Sequence, residues 1–300
     1  LVDMTTVADD ANYHDLVAKT TVFGRVKPEQ KERLVKALQD NGHTVAMTGD
    51  GVNDILALRQ ANCGIAMASG NESTKSIADF VLVDSNFSAL IQILNEGRRV
   101  INNIDNIAAL YLVKTMFSIM LSLIFIFMAK SYPFQPIQLT PINSLMVGVP
   151  SFFLALAPEF HPIKNRFFTG IVEIALPSAI CVVIYIILIG RIGNLLGFKV
   201  ATTDTLNVLL TGLISWQALL LVSRPLNRYK AMIVAGSIIG FMGLFIIFGK
   251  FFFLARLFTW QVGGIGLLLL LTVNPAFLLV QRLVNYFRDK KISIGKLESE

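Results

Sequence analysis

The sequence predicts an α/β unit with a doubly wound parallel sheet, followed by an all-α membrane domain of six transmembrane helices. Short apolar runs alternate with helix-like segments in the first 100 residues, and six long apolar runs follow. Hydrophobic residues make up 54% of the chain, more than is usual for a soluble domain. The net charge of +6 does not indicate a nucleic-acid partner, because many basic residues flank the apolar runs, where they orient membrane spans.

The strand-like runs of the first unit are short and are separated by segments with helical signals. The longest helical segment reads "KPEQKERLVKALQDNG", with Pro28 near its start and Gly42 at its end. The strand-like runs are "VFGRV", "TVAMT", "CGIAM" and "FVLV". This alternation predicts a parallel sheet, in which chemistry gathers beyond the carboxyl ends of the strands.

A turn with the sequence "GDGVND" follows the strand-like run "TVAMT". Gly49 and Gly51 allow the backbone to turn tightly near a phosphate group. Asp50 and Asp54 are hard oxygen ligands of the kind that Mg²⁺ prefers. The turn therefore predicts a magnesium and phosphate site at this edge of the sheet.

Three further residues are placed in the same predicted pocket. Thr48 immediately precedes the turn and is expected on its phosphate side, and Asn53 can donate to a phosphate oxygen. Lys27 ends another strand-like run and supplies a positive charge for a phosphoryl group in transfer. A solvated surface turn is the alternative, but the strand context and the upstream "KPEQK" disfavour it.

The apolar runs of the second half have the length of membrane spans, about 20 residues. An even number of spans puts both chain ends on one side, which is cytosolic if the first unit handles a nucleotide phosphate. The excess of Lys and Arg in the predicted cytosolic segments agrees with this orientation. The predicted domains are the α/β unit and stalk start at 1–100, the membrane domain at 101–283 and a basic cytosolic tail at 284–300; the predicted spans are 107–129, 137–157, 170–190, 205–222, 231–249 and 260–280.

Polar residues distinguish the first two spans from the others. The first contains Lys114, Thr115 and Ser118, and an ionisable group in a span is costly unless it faces a cavity or a partner. Lys114 either faces a transport cavity or extends its side chain to the cytosolic interface. The second span contains Asn143 and Ser144 between two prolines, so it forms either an interrupted helix at an ion site or a simple packing kink.

Taken together, "FGRVKPEQK", "MTGDGVNDILAL" and "GRRVINN" before the first span resemble the phosphorylation domain and stalk of P-type ATPases, within the haloacid dehalogenase superfamily. The resemblance implies that Lys27 contacts the phosphoryl group and that Asp50 binds Mg²⁺. It also implies that Asn53 and Asp54 complete the pocket, with ATP as the substrate. The segments "YPFQPIQLT" and "GVPSFFLAL" are similar to a mycobacterial subgroup of pumps linked to calcium.

The resemblance also implies that other parts of such a pump are encoded elsewhere. No DKTGT nucleophile motif, TGE loop or fourth-helix signature occurs in the 300 residues. We therefore expect a C-terminal portion that is inactive alone and that works with a missing N-terminal portion. The expected whole is a multi-pass ATP-driven cation pump with an aspartyl-phosphate intermediate, in the plasma membrane of a bacterium.

The sequence does not determine which ion is transported. Positions that hold carboxylates in sarcoplasmic-reticulum-type calcium pumps are neutral here, and no carboxylate was expected deep within the spans. One Ca²⁺, a monovalent cation, or a proton with Lys114 as counter-ion all fit the residues. A lipid-translocating P-type ATPase, a membrane-anchored phosphatase of the same superfamily, and a channel or secondary carrier are the alternative functions.

Overall fold

The structure is a computed structural model that describes residues 1–8, 11–163, 167–255 and 259–297, with side chains described outside 167–169 and 287–297. The chain divides into two compact units, Leu1–Leu94 and a second unit that begins at Asn95. Most of the predicted basic tail at 284–300 lies outside the residues with described side chains.

The first unit contains five short strands in parallel pairings. The strands β3, β4 and β5 form one sheet in that order, and β1 pairs with β2 in a second, two-stranded sheet. The predicted parallel α/β class is confirmed, although the strands lie in two sheets and β2 is shorter than its apolar run. The elements are β1 (Val2–Asp3), α1 (Tyr13–Lys19), β2 (Phe23–Gly24), α2 (Pro28–Asp40), β3 (Ala46–Gly49), α3 (Ile55–Gln60), β4 (Cys63–Met67), α4 (Glu72–Lys75) and β5 (Phe80–Leu82).

Helix α2 begins and ends where the sequence signals predicted. Pro28 occupies its first turn, where the missing N–H costs nothing, and the backbone N–H of Lys27 donates to Oε1 of Gln30 at 3.0 Å. Gly42 follows the helix with a φ of +86°, a conformation that glycine adopts without strain. The buried face of α2 packs against Met4 and Tyr13, which fixes the helix beside the small sheet.

The second unit is helical and contains six segments long and apolar enough to cross a membrane. The predicted all-α membrane region is thereby confirmed. The second segment is irregular, because a π-helical stretch, Asn143–Gly148, separates its helical parts. The segments are α5 (Ala89–Phe127); a 3-10 turn (Pro136–Leu139) with α6 (Thr140–Ile142), the π-helical stretch and α7 (Val149–Ala155); α8 (Phe167–Leu195); α9 (Val200–Val222); α10 (Arg228–Phe248); and a π turn (Trp260–Gly264) with α11 (Ile265–Leu297).

Helix α9 forms the centre of the second unit. In its most apolar window 78% of the residues are buried, against 22% for α5 and for α10. The helix also begins at Val200, five residues before the predicted start of its span. Asp204 consequently lies within the first two turns of the helix, close to its end and not deep within the span.

Candidate functional site

The "GDGVND" turn joins β3 to α3, and backbone hydrogen bonds fix its path. Gly49, the last residue of β3, is in register with Ala66 of β4. The carbonyl oxygen of Asp50 accepts a hydrogen bond from the Asn71 backbone N–H at 2.9 Å, which ties the turn to the segment after β4. The Asp54 N–H donates to the Gly51 carbonyl at 3.0 Å and closes a 3-10 turn. The carboxylates of the turn are therefore carried on a constrained backbone.

Close packing explains why two positions around the turn are glycine. A Cβ atom at Gly49 would lie 2.5 Å from the Asp54 Cβ, and one at Gly70 would lie 2.5 Å from the Asp50 carbonyl oxygen. Distances this short require the neighbour to move. Gly51 differs, because nothing lies within 4 Å of a Cβ built there. The missing side chain at Gly49 thus leaves room for Asp54, whereas packing does not require a glycine at position 51.

The buried carboxylate of the turn pairs with a lysine of α2. Nζ of Lys31 lies 2.6 Å from Oδ1 of Asp54, whose side chain is only 9% exposed. Lys27, which the sequence placed near the phosphoryl group, sits one helical turn earlier, at the N-cap of α2. The predicted pocket did not include Lys31. Its spacing of four residues from Lys27 indicates that the two lysines are neighbours, but only the packing of α2 against the turn shows that Lys31 reaches Asp54.

The remaining predicted residues present their groups at the surface of the turn. Asp50 and Asn53 are exposed, and Thr48 is half-buried at the end of β3. Within the described part of the chain, no hydrogen bond or ion pair engages the Asp50 carboxylate, and no group of three metal-ligating side chains occurs. Mg²⁺ usually takes one or two protein carboxylates and completes its shell with water and phosphate. The pair of Asp50 and Asp54 fits that requirement.

The predicted residues of the first membrane span lie within about one turn of α5 but differ in their surroundings. Lys114 is half-buried and, among the described residues, makes no hydrogen bond or ion pair. Thr115 is exposed and donates its hydroxyl to the Tyr111 carbonyl at 3.0 Å. Ser118 is half-buried. Among the described residues of α5, Lys114 shares the lack of an ion-pair partner with Arg98 and Asp105.

The second span has the irregular backbone that its prolines predicted. Asn143 begins the π-helical stretch, and its Oδ1 atom is buried without a hydrogen-bond partner, while Ser144 is exposed. Pro150 has no N–H, so one carbonyl in the preceding turn receives no backbone donor from it. No hydrogen bond in the described residues joins Asn143 or Ser144 to the polar residues of α5. An oxygen-rich segment thus lies within an apolar span.

Comparison with known proteins agrees with both units. The haloacid dehalogenase-like hydrolase family profile matches residues 4–62, which include the whole turn. The probable cation-transporting ATPase exp7 of Streptococcus pneumoniae is 37% identical over 249 residues, covering 80% of this chain and 32% of that protein. The chain is a homologue of cation-transporting P-type ATPases. The predicted resemblance is therefore confirmed.

Two further relatives carry calcium in their names. The calcium-transporting ATPase CtpE of Mycolicibacterium smegmatis is 37% identical over 247 residues, covering 77% of this chain and 31% of that protein. The calcium-transporting ATPase of Bacillus subtilis is 38% identical over 153 residues, covering 50% of this chain and 17% of that protein. The chain spans about a third of the length of the first two relatives.

Proposed function

We propose that the chain is the C-terminal part of a bacterial P-type ATPase that moves an inorganic cation across the plasma membrane through an aspartyl-phosphate intermediate. The observation that carries this proposal is the constrained "GDGVND" turn, with paired carboxylates, in a chain that also contains six candidate membrane spans. Relatives named as cation- and calcium-transporting ATPases support the same activity. A phosphatase with a membrane anchor would not need two polar spans.

In this proposal the turn binds the phosphoryl group and its metal. Asp50 and Asp54 would hold Mg²⁺, which when bound neutralises phosphoryl charge. Asn53 donates to a phosphate oxygen from its exposed position. Lys31 holds the Asp54 carboxylate in place through their 2.6 Å contact. Lys27 lies at the N-terminus of α2, where the helix dipole also favours a negative group.

The small residues of the turn have a different task in the proposal. Thr48 and Gly49 end β3, and Gly51 follows Asp50, so the backbone can approach a phosphate without a bulky side chain between them. The nucleophilic aspartate of the DKTGT motif is not among the 300 residues. We propose that another part of the same polypeptide supplies it. The first unit, about 1–100, would then be one half of a cytosolic phosphorylation domain.

The membrane region, about 101–283, would contain the ion pathway. Asn143, Ser144 and the irregular second span offer oxygen atoms of the kind that Ca²⁺ and monovalent cations bind. Lys114, Thr115 and Ser118 are the candidates on α5. We propose that the first unit and the C-terminus are both cytosolic, which follows from six spans and the distribution of basic residues.

The test uses the full-length protein that contains this chain, reconstituted in lipid vesicles with its nucleotide site outside. ATP should drive uptake of ⁴⁵Ca²⁺ or of a monovalent cation tracer, and the protein should acquire an acid-stable, hydroxylamine-sensitive phosphate from labelled ATP. The 300-residue chain expressed alone should acquire none, because the proposed nucleophile lies outside it. Lipid-stimulated ATP hydrolysis without ion uptake would contradict the proposal in favour of a lipid translocase.

A further inference from the structure

A cavity of about 330 Å³ lies where the end of α8, the start of α9 and the segment after α5 meet. Its lining contains basic, acidic and neutral polar side chains. Lys130 and Arg191 line it and are exposed, whereas Asp204 is half-buried and Asn207 is buried. The cavity lies outside the predicted transport residues, and neither the relatives' names nor the phosphate site accounts for it.

The carboxylate of Asp204 is held by a buried amide. Nε2 of Gln138, whose residue is fully buried, donates to Oδ2 of Asp204 at 3.1 Å. Oε1 of Gln138 in turn accepts from the Gln135 backbone N–H at 2.9 Å, so the amide group has a fixed orientation. Among the described residues no lysine or arginine pairs with Asp204, although two basic residues line the same cavity. The carboxylate is therefore oriented by a neutral donor and keeps its charge available.

Asn207 provides the second observation. It lies one helical turn after Asp204 and also lines the cavity, and its residue is only 4% exposed. Its Oδ1 atom has no hydrogen-bond partner in the part of the chain that the structure describes. A buried acceptor without a donor is costly, which indicates that a ligand completes it. Because the unpartnered atom is an oxygen, the missing ligand is a hydrogen-bond donor or a cation, not an anion.

The same face of α9 continues inward with oxygen-bearing side chains. Thr211 follows Asn207 by four residues, is 1% exposed, and its hydroxyl oxygen has no partner either. Ser215 follows after four more and donates its hydroxyl to the Thr211 carbonyl at 2.8 Å. Residues at these spacings share one helix face. The most buried helix of the unit thus carries a line of oxygen atoms from the cavity into its interior.

We propose that Asp204 and Asn207 form a low-affinity binding site for a partly hydrated hard cation, of which Ca²⁺ is the first probe. The donors are a carboxylate and an amide oxygen, the types that Ca²⁺ takes, and water fills the remaining positions. Lys130 and Arg191 are exposed, so solvent and salt screen their repulsion. If the proposed function holds, this site lies at the extracytosolic end of the ion pathway.

The small number of charged ligands predicts weak binding. No group of three metal-ligating side chains occurs in the described part of the chain, so a tightly held resident ion is not expected here. Sites with few charged ligands bind Ca²⁺ with dissociation constants of roughly 10⁻⁴ to 10⁻³ M. A site that releases its ion readily suits a place of entry or exit.

The test measures protection of Asp204 from a hydrophobic carbodiimide, which modifies carboxyl groups in apolar surroundings. The full-length protein is labelled with dicyclohexylcarbodiimide over a series of Ca²⁺ concentrations up to about 10 mM, above the expected dissociation constant. Modified peptides are then quantified by mass spectrometry, with K⁺ and Na⁺ as parallel series. Labelling of Asp105, a half-buried carboxyl group of α5 without an ion-pair partner among the described residues, serves as the internal reference.

We expect Ca²⁺ to protect Asp204 but not Asp105. Asn207→Leu should raise the concentration for half-protection about tenfold or more, because it removes one oxygen ligand. Asn207→Asp should lower it about tenfold, since an added carboxylate strengthens Ca²⁺ binding. A misfolded variant would not bind Ca²⁺ more tightly, so tighter binding by Asn207→Asp separates a ligand role from a folding defect. Asn194→Leu, the same change at an exposed residue of the cavity lining, should leave protection unchanged.

Two results would overturn the site: no protection of Asp204 by any of the three cations, or equal protection in wild type and Asn207→Leu. The same preparation is assayed for ATP-dependent uptake. Wild-type protein that transports without protection overturns this site alone. Protection in a protein that neither transports nor forms a phosphoenzyme overturns the proposed function and leaves the site standing.

Discussion

Two lysine–carboxylate pairs, one in each unit, have the same chemistry and different surroundings. Lys31 pairs with Asp54 beside the "GDGVND" turn, and the lysine side chain is 32% exposed. Lys230 pairs with Glu159 in the helical unit, and the lysine side chain is fully buried. The two carboxylates are equally buried, at 9% exposure for Asp54 and 10% for Glu159, so the exposure of the lysine decides what each pair can do. The first carboxylate can exchange its lysine for a metal ion with water nearby, whereas separation of the second pair would leave a charge buried without compensation.

The surroundings of the second pair confirm that it is part of a fixed structure. The Asn103 side chain donates to the carbonyls of Ala155 and Ala157, at 3.0 and 2.9 Å, just before Glu159. The Tyr229 hydroxyl, next to Lys230, donates to the Phe153 carbonyl at 2.8 Å. Side chains of α5 and α10 thus hold the end of α7 on two sides. In the turn of the first unit, the Asp54 carboxylate is as buried as that of Glu159, but its lysine partner is partly exposed to solvent.

The largest expected effect is on the buried pair. Lys230→Met or Glu159→Gln alone should destabilise the protein by about 3–5 kcal/mol, because each leaves an uncompensated group in an apolar interior. The double variant should recover most of this loss, since a neutral pair needs no partner charge. Thermal unfolding in detergent is measured for the full-length wild type, the two single variants and the double variant. Additive losses in the double variant would show that the pair is not coupled.

A smaller effect is expected at the glycines of the turn. Gly49→Ala should cost about 1–3 kcal/mol and should reduce phosphorylation, because its Cβ would displace the Asp54 side chain. Gly51→Ala is the matched control, since its Cβ meets nothing within 4 Å and its φ of −116° is open to alanine. Hydrogen exchange of residues 46–60 in the full-length protein reports the local loss. Equal exchange in the two variants would mean that Gly49 does not hold Asp54.

The exposed pair should contribute less to stability than the buried one. Lys31→Met is expected to cost about 1–3 kcal/mol, because it leaves the buried Asp54 carboxylate without its partner, although water can enter through the partly exposed lysine position. Lys36→Met, at an exposed position of the same helix, should change stability by less than about 0.5 kcal/mol. The free energy of unfolding of the two variants is compared by denaturant unfolding, followed by a spectroscopic probe in the first unit. A loss from Lys31→Met as large as that from Lys230→Met would remove the distinction between the pairs.

Much of the fold could be predicted from the sequence because its signals are local. The alternation of strands and helices, the caps of α2 and the six apolar runs depend on neighbouring residues and on segment length. The turn was predicted for the same reason, since its glycines and carboxylates lie within six residues. Its lysine partner was not, because Lys31 reaches Asp54 across 23 positions and only the packing of α2 against the turn determines which lysine does so.

The cavity beside α9 shows the same limit in the membrane region. The span was predicted to start at 205, yet the helix starts at Val200. Asp204 therefore fell outside the predicted span, and Asn207 was not among the predicted transport residues. The structure shows that the two residues line one cavity. It also shows that Gln138 orients the Asp204 carboxylate and that Asn207 is buried, and neither fact can be inferred from the local sequence.

The smallest expected effect concerns Lys114. If it faces the ion pathway, Lys114→Met should change the cation concentration for half-maximal ATP hydrolysis by a few-fold, through lost repulsion at an effective dielectric constant of about 20. Lys114→Arg keeps the charge and should change it less. Hydrolysis by the full-length protein is measured against cation concentration at several pH values. Curves that superimpose for wild type and Lys114→Met would instead show that the side chain extends to the interface.

Phosphorylation of the full-length protein tests the central claim most directly, namely that the "GDGVND" turn forms the magnesium and phosphate site of an ATP-driven pump. Wild type and Asp50→Asn are incubated with labelled ATP at limiting Mg²⁺, quenched in acid, and the bound phosphate is counted. Asp50→Asn keeps the shape of the side chain and removes its charge, so phosphorylation should fall by roughly 10²-fold. Near wild-type phosphorylation of Asp50→Asn at limiting Mg²⁺ would contradict the account.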